Sequence, residues 1–463
     1  MSLNESRKLI LEILDRVESQ NSYLNILLPS FFNKYKLNDL DRGLIQEISY
    51  GVVRFKKRLD WMIKQFLFDK NKKLPLTVQN ILRMGFYQIL YLDKIPDYAI
   101  VNESVELAKK NPYPAYSSMV NAILRNLIRQ SSPISWPDIE EEPVKYVSIY
   151  YSFPEWLVER WINRFGLEMC LRICEASNIK PNLTLRINPL RISMPHFQKE
   201  LSQLNISFQE SQYLPGTAII IEDYFNIAQT PLFENGFFSI QDESSILATK
   251  LLAPVAGNTV IDMCSGPGGK STHMAQIMQN KGEVIAFEIN QRRLEMVMAE
   301  SRRLGIENIS PVLVDSRKLN KDYLGKADRI LVDTPCSGTG VIRKKPDLKW
   351  KKWNIGHLQE LNRIQESLLD TAALYLKTGG ELLYSTCSME KEENDDIILK
   401  FIRKHQNFTI QESSQFVQKK GIISFKTKIK EAIQLIPGYS GANIDGFYMV
   451  KLKKISEGKH YEQ

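Results

Sequence analysis

Apolar residues recur at helical spacing from the start of the chain to about Ile134. Leu9, Ile10, Ile13, Leu14 and Val17 form one such set, and Leu44, Ile45, Ile48, Val52 and Val53 a second. Leu82, Phe86, Ile89 and Leu90 form a third. Ile95-Pro96-Asp97 interrupts the pattern, because proline cannot continue a helix interior. Helices are predicted again over Val101–Lys110 and Met119–Arg129, so residues 1–134 read as a helical bundle with no chemistry of its own.

Ser131, Pro133, Pro137 and the run Glu140-Glu141-Glu142-Pro143 then read as a linker. Two helical pieces follow. Leu183–Ile187 alternates like a strand, Pro195–Leu204 reads as a helix, and Ala218–Ile221 as a second strand. Residues 135–236 are therefore expected to hold this linker and a small α+β subdomain. From about Phe237 the pattern becomes strand–helix–strand. Val260–Met263, Val284–Phe287, Pro311–Val314, Arg329–Val332 and Glu381–Tyr384 are short apolar runs of the buried-strand type. Helices are predicted over Gln291–Leu304 and His357–Leu376. Alternating β and α predicts an α/β core, a doubly wound sheet of parallel strands, over residues 237–455.

Composition narrows this little. Hydrophobic residues at 43% and charged residues at 25% describe an ordinary globular chain, not a disordered one. Lys and Arg number 61 against 53 acids, a net +8 that is compatible with a polyanionic partner without requiring one. The five cysteines have no disulfide or zinc spacing, and Cys170 and Cys174 read as buried thiols on one helix face. No metal is expected. The N-terminus lacks a signal-peptide core, and no run approaches the roughly 20 apolar residues of a membrane span. A reducing, cytoplasmic compartment and no membrane partner are expected.

The chemistry lies at predicted strand ends. After the first core strand comes Cys264-Ser265-Gly266-Pro267-Gly268-Gly269-Lys270. Glycines there let a cofactor approach the backbone, and the following helix offers free N–H groups. The glycine spacing is neither that of a dinucleotide fingerprint nor that of a P-loop. The second strand ends at Glu288, the third at Asp315 and the fourth at Asp333. Any one of these acids alone reads as a cap or turn residue. Three at successive strand ends, beside a Gly-rich turn, predict a nucleoside cofactor without a polyphosphate, with Glu288 accepting from a ribose diol.

Two cysteines sit at neighbouring strand ends, in Asp333-Thr334-Pro335-Cys336-Ser337-Gly338 and Tyr384-Ser385-Thr386-Cys387-Ser388. Structural thiols are the bland reading. The sharper reading is nucleophilic chemistry on a pyrimidine. Carbon 5 of cytosine attacks a methyl sulfonium poorly, whereas a thiolate added at carbon 6 turns the ring into an enamine. Asp333 is placed to share a proton with ring nitrogen 3, and a second thiol can assist release. The target base is expected to be unstacked or single-stranded. Between the cysteines, Ile342–Trp353 interleaves Arg343, Lys344, Lys345, Lys349, Lys351 and Lys352 with Trp350 and Trp353. This composition reads as a loop for phosphate contact and base stacking, against a plain charged loop with two core indoles.

At these residues the chain resembles the RNA cytosine-5 methyltransferases with two motif cysteines, and within them the bacterial subgroup called Sun, Fmu or RsmB. The resemblance spans nearly the whole chain. It rests on DMCSGPGGK, DTPCSGTGVIRKKPDLKW and YSTCS, with LRIN, QDESS and GFYMVKLKK in support. LRMGFYQILYLDKIPDYAIVNESVELAKK and VNAILRNLIR resemble a NusB-like helical domain. The likeness implies a class I methyltransferase core and S-adenosyl-L-methionine as methyl donor. It implies 16S rRNA, naked or in an assembling small subunit, as substrate, with a cytosine of the 967 type in standard 16S numbering as target. RNA binding by the first two domains and a monomeric state are further expectations. By motif, Cys387 corresponds to the nucleophile, Cys336 to the release cysteine and Asp333 to the fourth-motif acid. Cys264, Ser265, Gly266, Pro267, Gly268, Gly269 and Lys270 line the donor loop. Glu288 stands where the subgroup usually has Asp for the ribose, and Asp315 is the adenine-side acid. Ser265-Gly266 replaces the two small residues, such as alanines, common in relatives. Competing readings are a transfer-RNA enzyme, a DNA cytosine methyltransferase attacking through Cys336, and a non-catalytic RNA-binding or antitermination module.

Overall fold

The amphipathic stretches at the start of the chain fold as helices over Leu3–Ser19, Leu24–Lys34, Asp39–Arg54, Lys56–Phe66, Leu76–Tyr91, Asp97–Lys110 and Ser117–Arg129. Their stripes meet in one core that includes Ile10, Ile13, Ile48, Ile81, Leu82, Phe86 and Leu124. Local chemistry sets the ends: Asn38 caps its helix by accepting from the Asp41 N–H at 2.7 Å. The described residues of the computed structural model are 3–35, 37–110, 113–130, 133–221, 227–351, 355–441 and 443–456, so Ser131 of the expected linker lies outside them.

The contacts divide the chain into two units, residues 1–180 with 342–352, and residues 181–341 with 353–463. The stretch from 135 to 236 is therefore split. Helices Pro143–Tyr150, Glu155–Phe165 and Leu167–Ala176 belong with the N-terminal helices, while the strands belong to the second unit. Cys170 and Cys174 are fully buried on the last of these helices, as expected.

The basic segment after Cys336 corrects its sequence reading. Residues 342–351 lie inside the first unit, where most of their polar groups are already used. Lys349 is 1% exposed, and its Nζ donates to Arg54 O and Ser152 O at 3.1 Å and to Asn178 Oδ1 at 2.7 Å. It also stands 3.7 Å from the Phe153 ring centroid. Trp350 packs on the helical core and donates to Val53 O at 2.7 Å. Arg343 is buried, with its carbonyl taken by Arg54 at 3.0 Å, and Lys351 reaches Asn21 Oδ1 at 3.0 Å. A charged chain found internal partners for these groups, which leaves little of the segment for phosphate. Lys345 is its exposed base, and Lys352 and Trp353 lie outside the described residues.

In the second unit, β1 (Leu183–Ile187), β2 (Phe208–Glu210), β3 (Ala218–Ile221) and β4 (Phe238–Ile240) form an antiparallel sheet of order β2-β3-β1-β4. Helix Met194–Gln203 covers it through Phe197 and Leu201. β4 lies just past residue 236, so that position falls inside this fold. The large sheet contains β5 (Thr259–Asp262), β6 (Glu283–Glu288), β7 (Ile309–Leu313), β8 (Ala327–Asp333), β9 (Leu376–Thr386), β10 (Phe408–Gln411), β11 (Ile433–Leu435) and β12 (Phe447–Lys454).

Its order is β10-β12-β9-β8-β5-β6-β7, with β11 on β12. The strands from β7 through β9 are parallel, as expected, whereas β10, β11 and β12 are antiparallel additions. β5 shows why the parallel strands read as unbroken apolar runs. Val260 faces one buried cluster and Ile261 the other, so both faces are covered. The chain runs outward from β5 to β7, then returns to β8 on the other side of β5. That reversal opens a crevice at the carboxyl ends of β5 and β8, where open α/β sheets bind ligands.

Candidate active site

The loop after β5 is shaped by close backbone approaches. Ser265 N donates to Phe287 O at 2.9 Å, and Gly266 N to Glu288 Oε2 at 3.0 Å. A Cβ on Gly266 would collide with the Glu288 carboxylate and lie 2.8 Å from Arg293 Cβ. Gly268 has φ +109°, a conformation that favours glycine, and no side chain caps the helix Gly269–Ile277 that starts beside it. Pro267 lies between them. Gly269 O accepts from Arg186 Nη1 at 2.6 Å, which ties the LRIN segment of β1 to this loop. The Arg186 guanidinium is fully buried, and burial lowers its pKa to about 9.

Glu288, at the end of β6, is buried and also accepts from Asn290 N at 3.0 Å. Asp315, two residues beyond β7, is held by its own turn. Arg317 Nε and Nη2 each donate to its carboxylate at 2.8 Å, and this hydrogen bonding lowers its pKa. The structure brings no other predicted site residue against the Asp315 side chain among the described contacts.

Asp333, at the end of β8, accepts from Lys270 Nζ and from Ser385 Oγ, both at 2.7 Å. Burial works against charge on Lys270, but Asp333 outweighs it and the ammonium pKa is raised; the charge at Cys387 adds to this. Asp262, at the end of β5, is a carboxylate the motif reading passed over. It accepts from Ser271 Oγ at 2.6 Å, and burial lifts its pKa to about 6. Burial, then the Asp262 and Asp333 charges, also pushes the Cys264 thiol well up.

The two motif cysteines meet. Cys336 Sγ and Cys387 Sγ are 3.3 Å apart, too far for a disulfide and close enough for S–H···S contact. Cys336 has its pKa raised well above an ordinary thiol, first by its hydrogen bond with Cys387 and then by burial. Gly340 N donates to Cys387 O at 2.9 Å, and Gly446 N to Gly340 O at 2.9 Å, so the β12 motif GFYMVKLKK braces the cysteine loops. A Cβ on Gly340 would collide with the Gly446 backbone.

The site can thus hold a nucleoside-bearing donor over the β5 loop and present a thiol pair to a planar base beside it. Ser265 Oγ, buried without a partner, is a free polar group in that loop.

Comparison with known proteins agrees. Residues 249–453 match the family described as 16S rRNA methyltransferase RsmB/F, residues 4–129 the NusB family, and residues 153–228 the ferredoxin-like domain of RsmF/B-like methyltransferases. A probable ribosomal RNA small subunit methyltransferase B of Bacillus subtilis is 36% identical over 456 residues, covering 98% of this chain and 100% of its own. One from Synechocystis sp. is 31% identical over 450 residues, covering 97% and 99%. The solved protein PH0851 shares the fold, with a TM-score of 0.79 at 24% identity over 98% of this chain and 100% of its own. A Rossmann-like S-adenosylmethionine-dependent methyltransferase core, a NusB-like helical domain and a ferredoxin-like subdomain are thus combined in one chain. By fold and by end-to-end likeness, the chain belongs to the RsmB/F family of 16S rRNA methyltransferases.

Proposed function

We propose that this protein methylates carbon 5 of one cytosine in 16S rRNA through a bond between Cys387 Sγ and ring carbon 6. The observation that supports this best is the 3.3 Å separation of two cysteine sulfurs that end neighbouring strands beside Asp333. Cys387 attacks as the thiolate, and the Lys270 cation lies within electrostatic reach of it.

Bound S-adenosylmethionine supplies an electrophilic methyl group. Cys264–Lys270 would cradle it, with Glu288 toward the ribose and Asp315 toward the adenine. The vacant lone pairs of Glu288, the uncapped helix and the orphan Ser265 hydroxyl fit that load. Cys387 adds to carbon 6, and carbon 5 takes the methyl group. Asp333, its charge balanced by Lys270, shares the proton carried by ring nitrogen 3 in the adduct.

Once the Cys387 sulfur is bonded to carbon, the interaction that chiefly raised the Cys336 pKa is gone. Cys336 then gives its own proton to solvent, and the resulting thiolate removes the carbon-5 proton. The carbon–sulfur bond breaks as the ring double bond re-forms, and Cys387 departs as a thiolate. The raised pKa of the Cys336 thiol disfavours attack through it, the DNA-enzyme alternative.

Residues 1–134 and 135–236 are proposed to grip the RNA, and residues 237–455 to catalyse. The protein acts in the cytoplasm as a monomer, on free RNA or an assembling small subunit. No helix among the described residues is long and apolar enough to cross a membrane. Bisulfite sequencing of total RNA, with and without this gene, tests the reading. A single small-subunit cytosine should lose its resistance to conversion in the deletion, and regain it with the parent gene but not with Cys387→Ala. A change confined to transfer RNA, or none, would overturn it.

A further inference from the structure

One buried carboxyl in the crevice is used by neither the donor loop nor the sulfur chemistry. Glu393 has no exposed surface. Its Oε1 accepts from the Ser337 N–H at 2.8 Å and from Gln365 Nε2 at 3.2 Å. Its Oε2 accepts from Ser388 Oγ at 2.6 Å. Ser337 and Ser388 directly follow the two cysteines, and their hydroxyls meet at 2.9 Å. Gln365 also donates to Pro335 O at 3.0 Å, on the other side of Cys336. Tyr384 OH donates to Glu393 O at 2.6 Å, anchoring the strand that leads to Cys387.

Such a carboxyl is expensive. Burial raises its pKa, and the Ser337 and Ser388 hydrogen bonds pull it part of the way back. Where packing alone was needed, an apolar side chain would fill the space at lower cost. The cost falls where one carboxylate reaches both cysteine loops.

We propose that Glu393 is a positioning residue whose carboxylate clamps Ser337 to Ser388 and so holds the Cys336 and Cys387 sulfurs within reach of one pyrimidine ring. This rests on the cysteine roles given above. It touches neither substrate nor donor, and it acts through the two loops. Loss of the clamp leaves the buried Ser337 N–H without its acceptor, leaves the Ser388 hydroxyl only its weaker hydroxyl neighbours, and lets each sulfur drift. A displacement of about 1 Å at reacting atoms costs about 10²-fold in rate. The loss should fall on attack and on turnover, and spare donor binding.

The test uses full-length protein and small-subunit rRNA, with a second RNA carrying 5-fluorocytidine. Fluorine at carbon 5 blocks the final elimination, so covalent protein–RNA complex accumulates at the rate set by attack and methyl transfer. In Glu393→Ala, complex formation and kcat should fall about 10²-fold, with the KM for S-adenosylmethionine within about two-fold of the parent. Glu393→Gln keeps an acceptor for Ser337 and a polar partner for Ser388, and should recover about ten-fold of that loss. Ser388→Ala, which removes one bond of the clamp, covers the case of an unfolded Glu393→Ala protein and should slow complex formation about ten-fold. Rates within about three-fold of the parent in the folded variants, or a loss shared equally by donor KM, would overturn the clamp. A parent protein that forms no complex at all would instead overturn the cysteine roles themselves.

Discussion

The stretch from Asp333 to Trp350 is continuous in sequence but serves two interiors. Its first half, to Val341, joins the sheet unit and carries Asp333 and Cys336 to the crevice edge. Its second half, from Ile342, lies in the helical unit, where Lys349 and Trp350 act as internal struts. Both halves contain residues that chemistry would favour. In the first half, partners from other strand ends converge on them and leave a thiol and a carboxylate poised. In the second, backbone carbonyls of the surrounding helices take up the cations. A reactive-looking residue is functional when its neighbours leave chemistry unfinished, and structural when they complete it.

The contrast can be broken most strongly at Cys387. Cys387→Ala should lower methyl transfer by on the order of 10⁴-fold or more, with donor affinity kept, measured by radiolabelled methyl incorporation and calorimetry. Next is Cys336→Ala. Turnover should fall about 10³-fold while a covalent protein–RNA band builds up on denaturing gels; absence of that band would remove Cys336 from the release step.

Two buried titratable groups then sharpen the contrast through stability. Asp262, in the crevice, has its pKa lifted from 3.8 to about 6 by burial. Between those values the folded state holds a proton that the unfolded chain has released. Stability should therefore fall as pH rises through about 4 to 6, by about 3 kcal/mol, and stay reduced above. Asp262→Asn should flatten that part of the denaturation profile. Lys349, in the helical unit, has its pKa pushed well below 10.5 by burial, so its penalty has the opposite sign. It grows as pH falls below the unfolded lysine value and is complete once pH passes below the folded one.

Lys349→Ala should be the mildest change. It strands three buried acceptors but relieves that penalty, for a net loss of about 2 kcal/mol. Methyl transfer per folded molecule and the salt dependence of RNA binding should stay near the parent. A salt slope reduced by about 1 would instead restore Lys349 as a phosphate contact.

Much of this architecture was legible in the chain. The parallel strands β5, β6, β8 and β9 stood out because burial on both faces demands unbroken Val, Ile and Leu, whereas β7, at the sheet edge, is only partly covered. Helix Gln291–Leu304 appears with its expected bounds. The antiparallel strands β10 to β12 were harder. β12 ends in Lys451, Lys453 and Lys454, and β11 is three residues long, so neither carries a strong period. Helix Glu243–Leu252 opens on Glu243-Ser244-Ser245, which hides an otherwise apolar element.

At the site, the glycines and strand-end acids were readable because close approach and strand termination depend on local sequence. Glu393 was not: inside Lys391-Glu392-Glu393-Asn394-Asp395 it has the pattern of a solvated charge run, and only the topology buries it. Lys349 failed in the same way. Asp315, expected at its strand end, lies two residues past it, and nothing in its type foretold that Arg317, two residues on, would occupy both its oxygens.

The central claim is that Cys387, and not Cys336, attacks the base. Peptide mapping by mass spectrometry, after incubation with S-adenosylmethionine and 5-fluorocytidine-substituted small-subunit rRNA, addresses it directly. The account predicts the modified pyrimidine on the peptide containing Cys387 and an unmodified Cys336. A pyrimidine attached to Cys336, or to neither cysteine, would contradict it.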